Sequence, residues 1–192
     1  KLREIRDLSH RAAQFTVLTG RRRIGKTSLV MKAYEDETIL YFFVTRSTES
    51  VLCEEFQQEL TEKLEIPILG KVERFADIFD YVMELSKTRP LTLMIDEFQD
   101  FNRVNSAIFS QMQKIWDKKK GEAKINLIVC GSVYSMMTKL FRDKKEPLYG
   151  RQTEFLKIEP FVPSVVKEIL GCYNPDYTKE DLLALYTYTG GV

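Results

Sequence analysis

With 192 residues, 44% of them hydrophobic and 30% charged, the chain has the composition of an ordinary globular protein and enough length to bury one sizeable core without disulfide staples. A formal net charge of +1 gives neither the basic footprint of a nucleic-acid binder nor an acidic excess. Cys53, Cys130 and Cys172 lie far apart, His10 stands alone, and no apolar run reaches membrane length. These features exclude a disulfide frame, a zinc site and a membrane span, and they point to reduced thiols and a cytoplasmic location.

In chain order, residues 1–11 read as a short amphipathic helix. FTVLT, 15–19, is a β-branched apolar run, as expected of a strand buried on both faces. Helical spacing of Leu29, Val30, Ala33 and Tyr34 predicts a helix over 26–36, and TILYFFVT, 38–45, a second strand. A helix is predicted over 50–65, with Ser50 as its cap and Glu54 near the capping-box position. After a break at IPILG, 66–70, come a helix over 72–88, a strand over 90–97 and a helix over 107–120 stopped by Gly121. A strand over 124–132, a helix over 133–145 and a strand over 153–161 follow. This alternation predicts an α/β fold: a parallel five-stranded sheet with helices on both faces. Beyond Pro163 the pattern changes to two helices, 164–170 and 179–189, without a strand between them. Residues 1–163 therefore read as a core and 164–192 as the beginning of a small helical subdomain. Both ends read as cut, so the chain is taken as part of a longer protein.

The most informative stretch is GRRRIGKTSLV, between the first strand and the second helix. Gly20 and Gly25 bracket four residues, and Lys26, Thr27 and Ser28 follow. A loop that wraps a phosphate must aim backbone N–H groups inward and tolerates few side chains in its concavity. The helix opening near Gly25 adds unpaired N–H groups and its positive dipole end. Gly20, Arg21, Arg22, Arg23, Ile24, Gly25, Lys26, Thr27 and Ser28 are thus the expected nucleotide-binding residues. Lys26 would reach the β- and γ-phosphates, and the Thr27 hydroxyl would ligate Mg²⁺. The side chains of Arg21, Arg22 and Arg23 are expected to face solvent or a neighbour in an oligomer.

LTLMIDEFQD places Asp96 and Glu97 at the C-terminal end of the third strand, the edge where open α/β sheets bind ligands. Asp96 would hold Mg²⁺ through water, and Glu97 would orient and polarise the attacking water. Ser132, closing the fourth strand in LIVCGS, is placed either to sense the γ-phosphate or to cap the next helix, with Ser135 the second choice. Arg151, in PLYGRQTEF just before the fifth strand, is a candidate to neutralise charge on the transferring phosphoryl group, ahead of Arg142.

Taken together, these elements resemble the archaeal-type ATPases of the AAA+/STAND branch of P-loop NTPases. GRRRIGKTSL is similar to that family's Walker A motif and LTLMIDEFQ to its Walker B motif with the adjoining glutamate. INLIVCGSVYSMM is similar to its sensor strand, PLYGRQTEFLKIEPF to its arginine-bearing loop, and the Gly190-Gly191 pair to the start of its Gly-Gly-x-Pro lid element. The resemblance implies the sheet order 5-1-4-3-2, ATP and Mg²⁺ as cofactors, and slow hydrolysis that drives a conformational change. The family's opening adenine-packing motif and later lid helices lie outside this sequence. Its members carry C-terminal effector modules, so a nucleic-acid or protein partner would engage regions beyond this stretch. A homo-oligomer is a further candidate partner, with Arg151 supplied to a neighbouring subunit. The alternative function is a nucleotide-dependent switch or scaffold with negligible turnover. A small-molecule kinase is disfavoured, since no acceptor-binding arginine cluster is visible.

Overall fold

The computed structural model describes residues 1–66 and 70–192. The strands β1 (Gln14–Gly20), β2 (Ile39–Phe43), β3 (Leu91–Asp96), β4 (Ile125–Gly131) and β5 (Glu154–Ile158) form one sheet in the order β2-β3-β4-β1-β5, with every pairing parallel. This is the expected order 5-1-4-3-2 read from the other edge. The helices are α1 (Leu2–Ser9), α2 (Lys26–Ala33), α3 (Glu49–Leu64), α4 (Phe75–Thr88), α5 (Phe101–Val104), α6 (Ala107–Lys119), α7 (Tyr134–Arg142), α8 (Pro163–Tyr173) and α9 (Lys179–Thr189).

Every residue of β3 and β4 is buried, because these strands lie in the middle of the sheet and are covered on both faces. No residue of β5, at the edge, is fully buried. On one face Phe15, Val17, Leu93, Ile95, Leu127 and Val129 pack with residues of α3, α4, α6 and α7. Phe42 stacks on Phe56 of α3 with ring centroids 4.2 Å apart, and Phe15 meets Trp116 of α6 edge-on at 5.1 Å. The alternate residues Leu18, Met94, Ile128 and Cys130 pack on the other face against Leu2 and Ile5 of α1, Val30 of α2 and Tyr34 just beyond it. The period of two between the faces is that of a pleated strand.

Register sets the site. Thr19 pairs with Gly131, Ile95 with Val129 and Phe43 with Asp96, so the strands finish nearly level and their following residues share one edge.

Two local expectations change. The helix α3 begins at Glu49, with Thr48 as its N-cap and no side-chain cap, so Ser50 lies inside the first turn. Glu54 is no capping-box partner but faces Lys71 at 2.8 Å. Glu49 takes up capping work elsewhere, accepting from the Phe75 backbone N–H at the start of α4 (2.8 Å) and from Asn105 (2.7 Å). The stretch 98–104, left unassigned from sequence, forms a single 3₁₀ turn (Phe98–Asp100) and α5, burying Phe98 and Phe101. The break read at IPILG falls largely on residues 67–69, outside the described residues. After β5 the chain turns at Pro163 into α8 and α9. The latter buries no residue, starts with a Thr178–Asp181 capping box, and ends at Gly190. Gly191 returns to the core by accepting a hydrogen bond from the Phe161 N–H at 2.8 Å. Among the described residues no helix is long and apolar enough to cross a membrane.

Candidate functional site

The loop between β1 and α2 turns back on itself through left-handed backbone at Arg23 (φ 64°) and Gly25 (φ 89°). The Gly25 conformation is one that L side chains rarely adopt, which is why glycine stands immediately before the helix. Gly20 closes β1 and Ile24 lies half-buried between the two turns, whereas Arg21, Arg22, Arg23 and Ser28 are exposed. The Lys26 ammonium lies inside the loop, 7% exposed, and donates to the Gly20 carbonyl (3.0 Å) and the Arg21 carbonyl (3.1 Å). Its two hydrogen bonds go to neutral carbonyls, which leave its charge available to an anion entering the loop.

Facing it across the sheet edge, the Thr27 hydroxyl donates to Asp96 Oδ2 at 2.7 Å. Tyr41, from β2, donates to the same oxygen at 3.2 Å, and the Glu97 backbone N–H donates to Asp96 Oδ1 at 2.9 Å. Burial, with the Asp96 charge beside it, pushes the Tyr41 phenol well above its ordinary range, so it acts here only as a donor. Glu97 has left-handed backbone (φ 51°), which swings its side chain towards β4. Its Oε2 accepts from Ser132 at 2.7 Å and from the Gln99 amide. Burial alone would raise the Glu97 carboxyl; the donors Gln99 and Ser132 and the charge of Lys26 outweigh it and hold the group below the usual carboxylate range.

A cavity of about 240 Å³ is lined by Arg22, Arg23, Gly25, Lys26, Thr27, Ser28, Asp96 and Glu97. A second, of about 620 Å³, shares Arg22 and Glu97 with it and extends past Ser132, Gln99, Thr45 and Arg46. The structure thus brings together the loop residues Gly20–Ser28, Asp96, Glu97 and Ser132. Ser132 does not cap α7, whose N-cap is Val133; its hydroxyl goes to Glu97.

Arg151 is not brought to this site. The Phe15 N–H donates to Thr153 Oγ1 at 3.0 Å, fixing the loop before β5 beside the start of β1. The five residues from there to Gly20 span roughly 17 Å at strand rise. The Arg151 guanidinium instead pairs with Asp117 of α6 at 3.0 Å and with the Tyr149 carbonyl at 2.7 Å. Arg142 lies over the Phe155 ring at 4.2 Å, and Ser135 is exposed on α7. Three residues absent from the sequence-derived site belong to it: Tyr41, Gln99 and Gly131. A Cβ at Gly131 would come within 2.6 Å of Gln99 Oε1 and 2.4 Å of Met137 Sδ, so only glycine admits the amide. The adjacency of Gln99 to Glu97 in IDEFQ was the available signal.

A parallel sheet in this order, with a glycine-bracketed loop running from β1 into α2 and acidic residues closing β3, one strand removed from β1, is the fold of a P-loop NTPase. The chain belongs to the family of ATPase domains found predominantly in Archaea, whose family model matches residues 1–192. It is a nucleotide-binding module of that family. An uncharacterized protein of Methanocaldococcus jannaschii is 31% identical over 93% of the chain, which spans 38% of that relative's length. Among solved structures, the Walker-type ATPase of Pyrococcus abyssi shares the fold with a TM-score of 0.71 and 18% identity, over all of this chain and 63% of that one. The ORC2 protein of Aeropyrum pernix, solved in ADPNP–ADP complexes, does so with a TM-score of 0.61 and 18% identity, over 88% of this chain and 48% of that one.

Proposed function

We propose that this chain binds ATP with Mg²⁺ and hydrolyses the γ-phosphate slowly, coupling nucleotide state to movement of the helical segment 164–192 within a larger protein. The observation that carries the reading is the convergence of Lys26, Thr27, Asp96, Glu97 and Ser132 at one sheet edge, linked by the 2.7 Å contacts Thr27–Asp96 and Ser132–Glu97.

The donor set suits Mg²⁺. It offers one hydroxyl and one carboxylate, both hard oxygens, and among the described residues no group of three or more His, Cys, Asp or Glu forms a cage. Mg²⁺ characteristically takes one or two protein oxygens and completes its shell with water and substrate phosphates. When bound, the ion would neutralise phosphate charge and help orient the substrate phosphates. Thr27 and Asp96 would hold it, with Tyr41 orienting the Asp96 carboxylate. Lys26 would exchange the loop carbonyls for phosphate oxygens, and the N–H groups of the Gly20–Ser28 loop would cradle the β-phosphate. Glu97, ionised at neutral pH and placed between the two cavities, would orient the attacking water and accept its proton. Ser132 would report the γ-phosphate through its contact with Glu97.

The coupling has a physical route, since the Arg21 guanidinium lies 3.7 Å from where a Cβ on Gly190 would stand, at the end of α9. A change in the phosphate loop would therefore be felt at the helical segment. Arg151, remote from its own site, would serve a neighbouring subunit in an oligomer once released from Asp117. Mixing Arg151→Ala with Lys26→Ala protein restores activity if so, and leaves it absent if Arg151 only braces its loop.

The test is phosphate release by Glu97→Gln. The amide keeps the shape but cannot accept the proton, so ATP affinity is expected to stay while turnover falls ~10²–10⁴-fold. Turnover within a few-fold of the parent would remove Glu97 from the mechanism. A parent that binds ATP yet releases no phosphate would make the chain a nucleotide-dependent switch instead.

A further inference from the structure

We propose that Gln99 is a positioning residue for hydrolysis, its amide fixing one oxygen of the Glu97 carboxylate so that the other is presented to the attacking water. The inference rests on the role of Glu97 argued above.

Gln99 is 2% exposed, in the 3₁₀ turn that follows β3. Burying an amide is costly unless both of its ends are partnered. Here only one is. Its Nε2 donates to Glu97 Oε2, while its Oε1 is buried without a partner among the described residues. The carboxylate accepts and cannot donate, which fixes which end of the amide faces it. A leucine or methionine would fill the same space with no stranded oxygen. The fold therefore tolerates a polar defect at this position, and the contact it secures is the one to Glu97.

The surroundings hold that contact in place. Gln99 Oε1 lies where a Cβ on Gly131 would come within 2.6 Å, and Met137 crowds the same point. The amide is thus wedged between β4 and α7 and cannot rotate away. The left-handed backbone at Glu97 lets side chains two residues apart meet, and the Glu97 carbonyl accepts from the Asp100 N–H at 2.8 Å, closing the turn. The Ser132 hydroxyl reaches the same carboxylate oxygen from β4 at 2.7 Å. Both side-chain donors converge on Oε2, and the Ser132 backbone N–H adds to the hold on the carboxylate. Glu97 forms part of the wall between the phosphate-loop cavity and the larger cavity beyond it. A carboxylate pinned by one oxygen at such a wall has the other free as an acceptor in a defined direction, which is what in-line attack requires.

The test measures ATP affinity by calorimetry and single-turnover phosphate release with protein in excess, for the parent, Gln99→Leu, Glu97→Gln and the double variant. Gln99→Leu is expected to keep its Kd for ATP within about two-fold and lose roughly 10–100-fold in rate, the usual consequence of misplacing a reacting group by about an ångström. In the Glu97→Gln background the same substitution is expected to change nothing further, because Gln99 acts through the carboxylate. Gln99→Met keeps the side-chain length and removes the donor. It is expected to lose rate comparably, and it carries the test should the leucine variant fold poorly. Equal rates for Gln99→Met and parent would overturn the proposal, as would losses from Gln99 and Glu97 that simply multiply. A Glu97→Gln protein as fast as the parent, or a parent with no phosphate release, would instead overturn the role of Glu97 on which it rests.

Discussion

The two ends of the sheet are built differently. At the C-terminal ends of β1, β3 and β4, polar side chains share partners: Thr27 and Tyr41 meet on one oxygen of Asp96, and Ser132 and Gln99 on one oxygen of Glu97. At the N-terminal ends, charges pair off at the surface, as in Arg151–Asp117 at 3.0 Å and Lys1–Glu154 at 2.6 Å. A cavity of about 500 Å³ at that end, lined by His10, Glu37, Lys63 and Arg89 among others, falls between the two at the C-terminal edge, of about 240 and 620 Å³. Volume does not mark the site. Convergence does, and chain direction explains it. Every strand is parallel, so each C-terminal end leads into a loop or helix start, where backbone N–H groups are unpaired and side chains are free to turn inward.

If that contrast is right, substitutions at the two ends have different consequences. The largest effect on folding is expected from Gly131→Ala. Its methyl would overlap Met137 and Gln99 in the core, costing ~1–3 kcal/mol by overpacking. Chemical denaturation measures this, and a stability equal to that of the parent would mean that β4 and α7 yield more easily than their packing implies. A smaller effect is expected from Thr27→Ala. It removes one hydrogen bond to the Asp96 carboxylate and the hydroxyl proposed to hold Mg²⁺. The affinity for ATP with Mg²⁺ should fall roughly ten-fold, on the order of the ~1.5 kcal/mol such a bond contributes. Without divalent metal the variant and parent should bind alike. A loss that persists without metal would assign Thr27 to the fold and not to the ion.

The smallest effect is expected at the other end. Arg151→Ala breaks an exposed ion pair worth ~0.2–1 kcal/mol and should leave ATP affinity unchanged. Its pH dependence has a definite sign. Burial alone would raise the Asp117 carboxyl, but the Arg151 guanidinium, with the Lys120 ammonium, outweighs burial and holds the group below its ordinary range. A carboxyl depressed in the folded state stabilises above its unfolded pKa and loses that contribution as pH falls through the folded one. Parent and variant should therefore differ near neutrality and converge once acid has protonated Asp117. A difference that survives in strong acid would have to come from packing of the arginine stem.

Much of this contrast was legible in the sequence, for reasons of local chemistry. The continuous apolar runs of β3 and β4 admit no other place than the middle of a parallel sheet. The Gly20–Ser28 loop is self-contained, so its residues could be picked out without neighbours. Asp96 and Glu97 were readable because they stop an apolar run at its end. What could not be read depends on register. Tyr41 looked like one more apolar strand residue until β2 was laid beside β3. Gln99 gained a role only when the backbone reversal at Glu97 folded it back, and Ser132 chose between capping α7 and meeting Glu97 only through the position of β4. The reading of Ser50 as a cap failed for a similar reason: the charged residue before it starts the helix and caps its neighbour instead. Arg151 divides the two cases: its place just before a strand of a parallel sheet already sets it at the far end from Gly20, whereas its pairing with Asp117 of α6 could not be read.

The central claim, that the polar convergence at the C-terminal edge is a nucleotide site centred on one buried ammonium, is tested most directly by titrating ATP into the parent and Lys26→Ala proteins in a calorimeter. Within the fold the lysine makes only two bonds to loop carbonyls, and by the proposed reading its charge serves the phosphates, so the variant should keep the parent's circular dichroism and cooperative unfolding while showing no measurable ATP binding. Equal affinity for the two proteins would contradict the account.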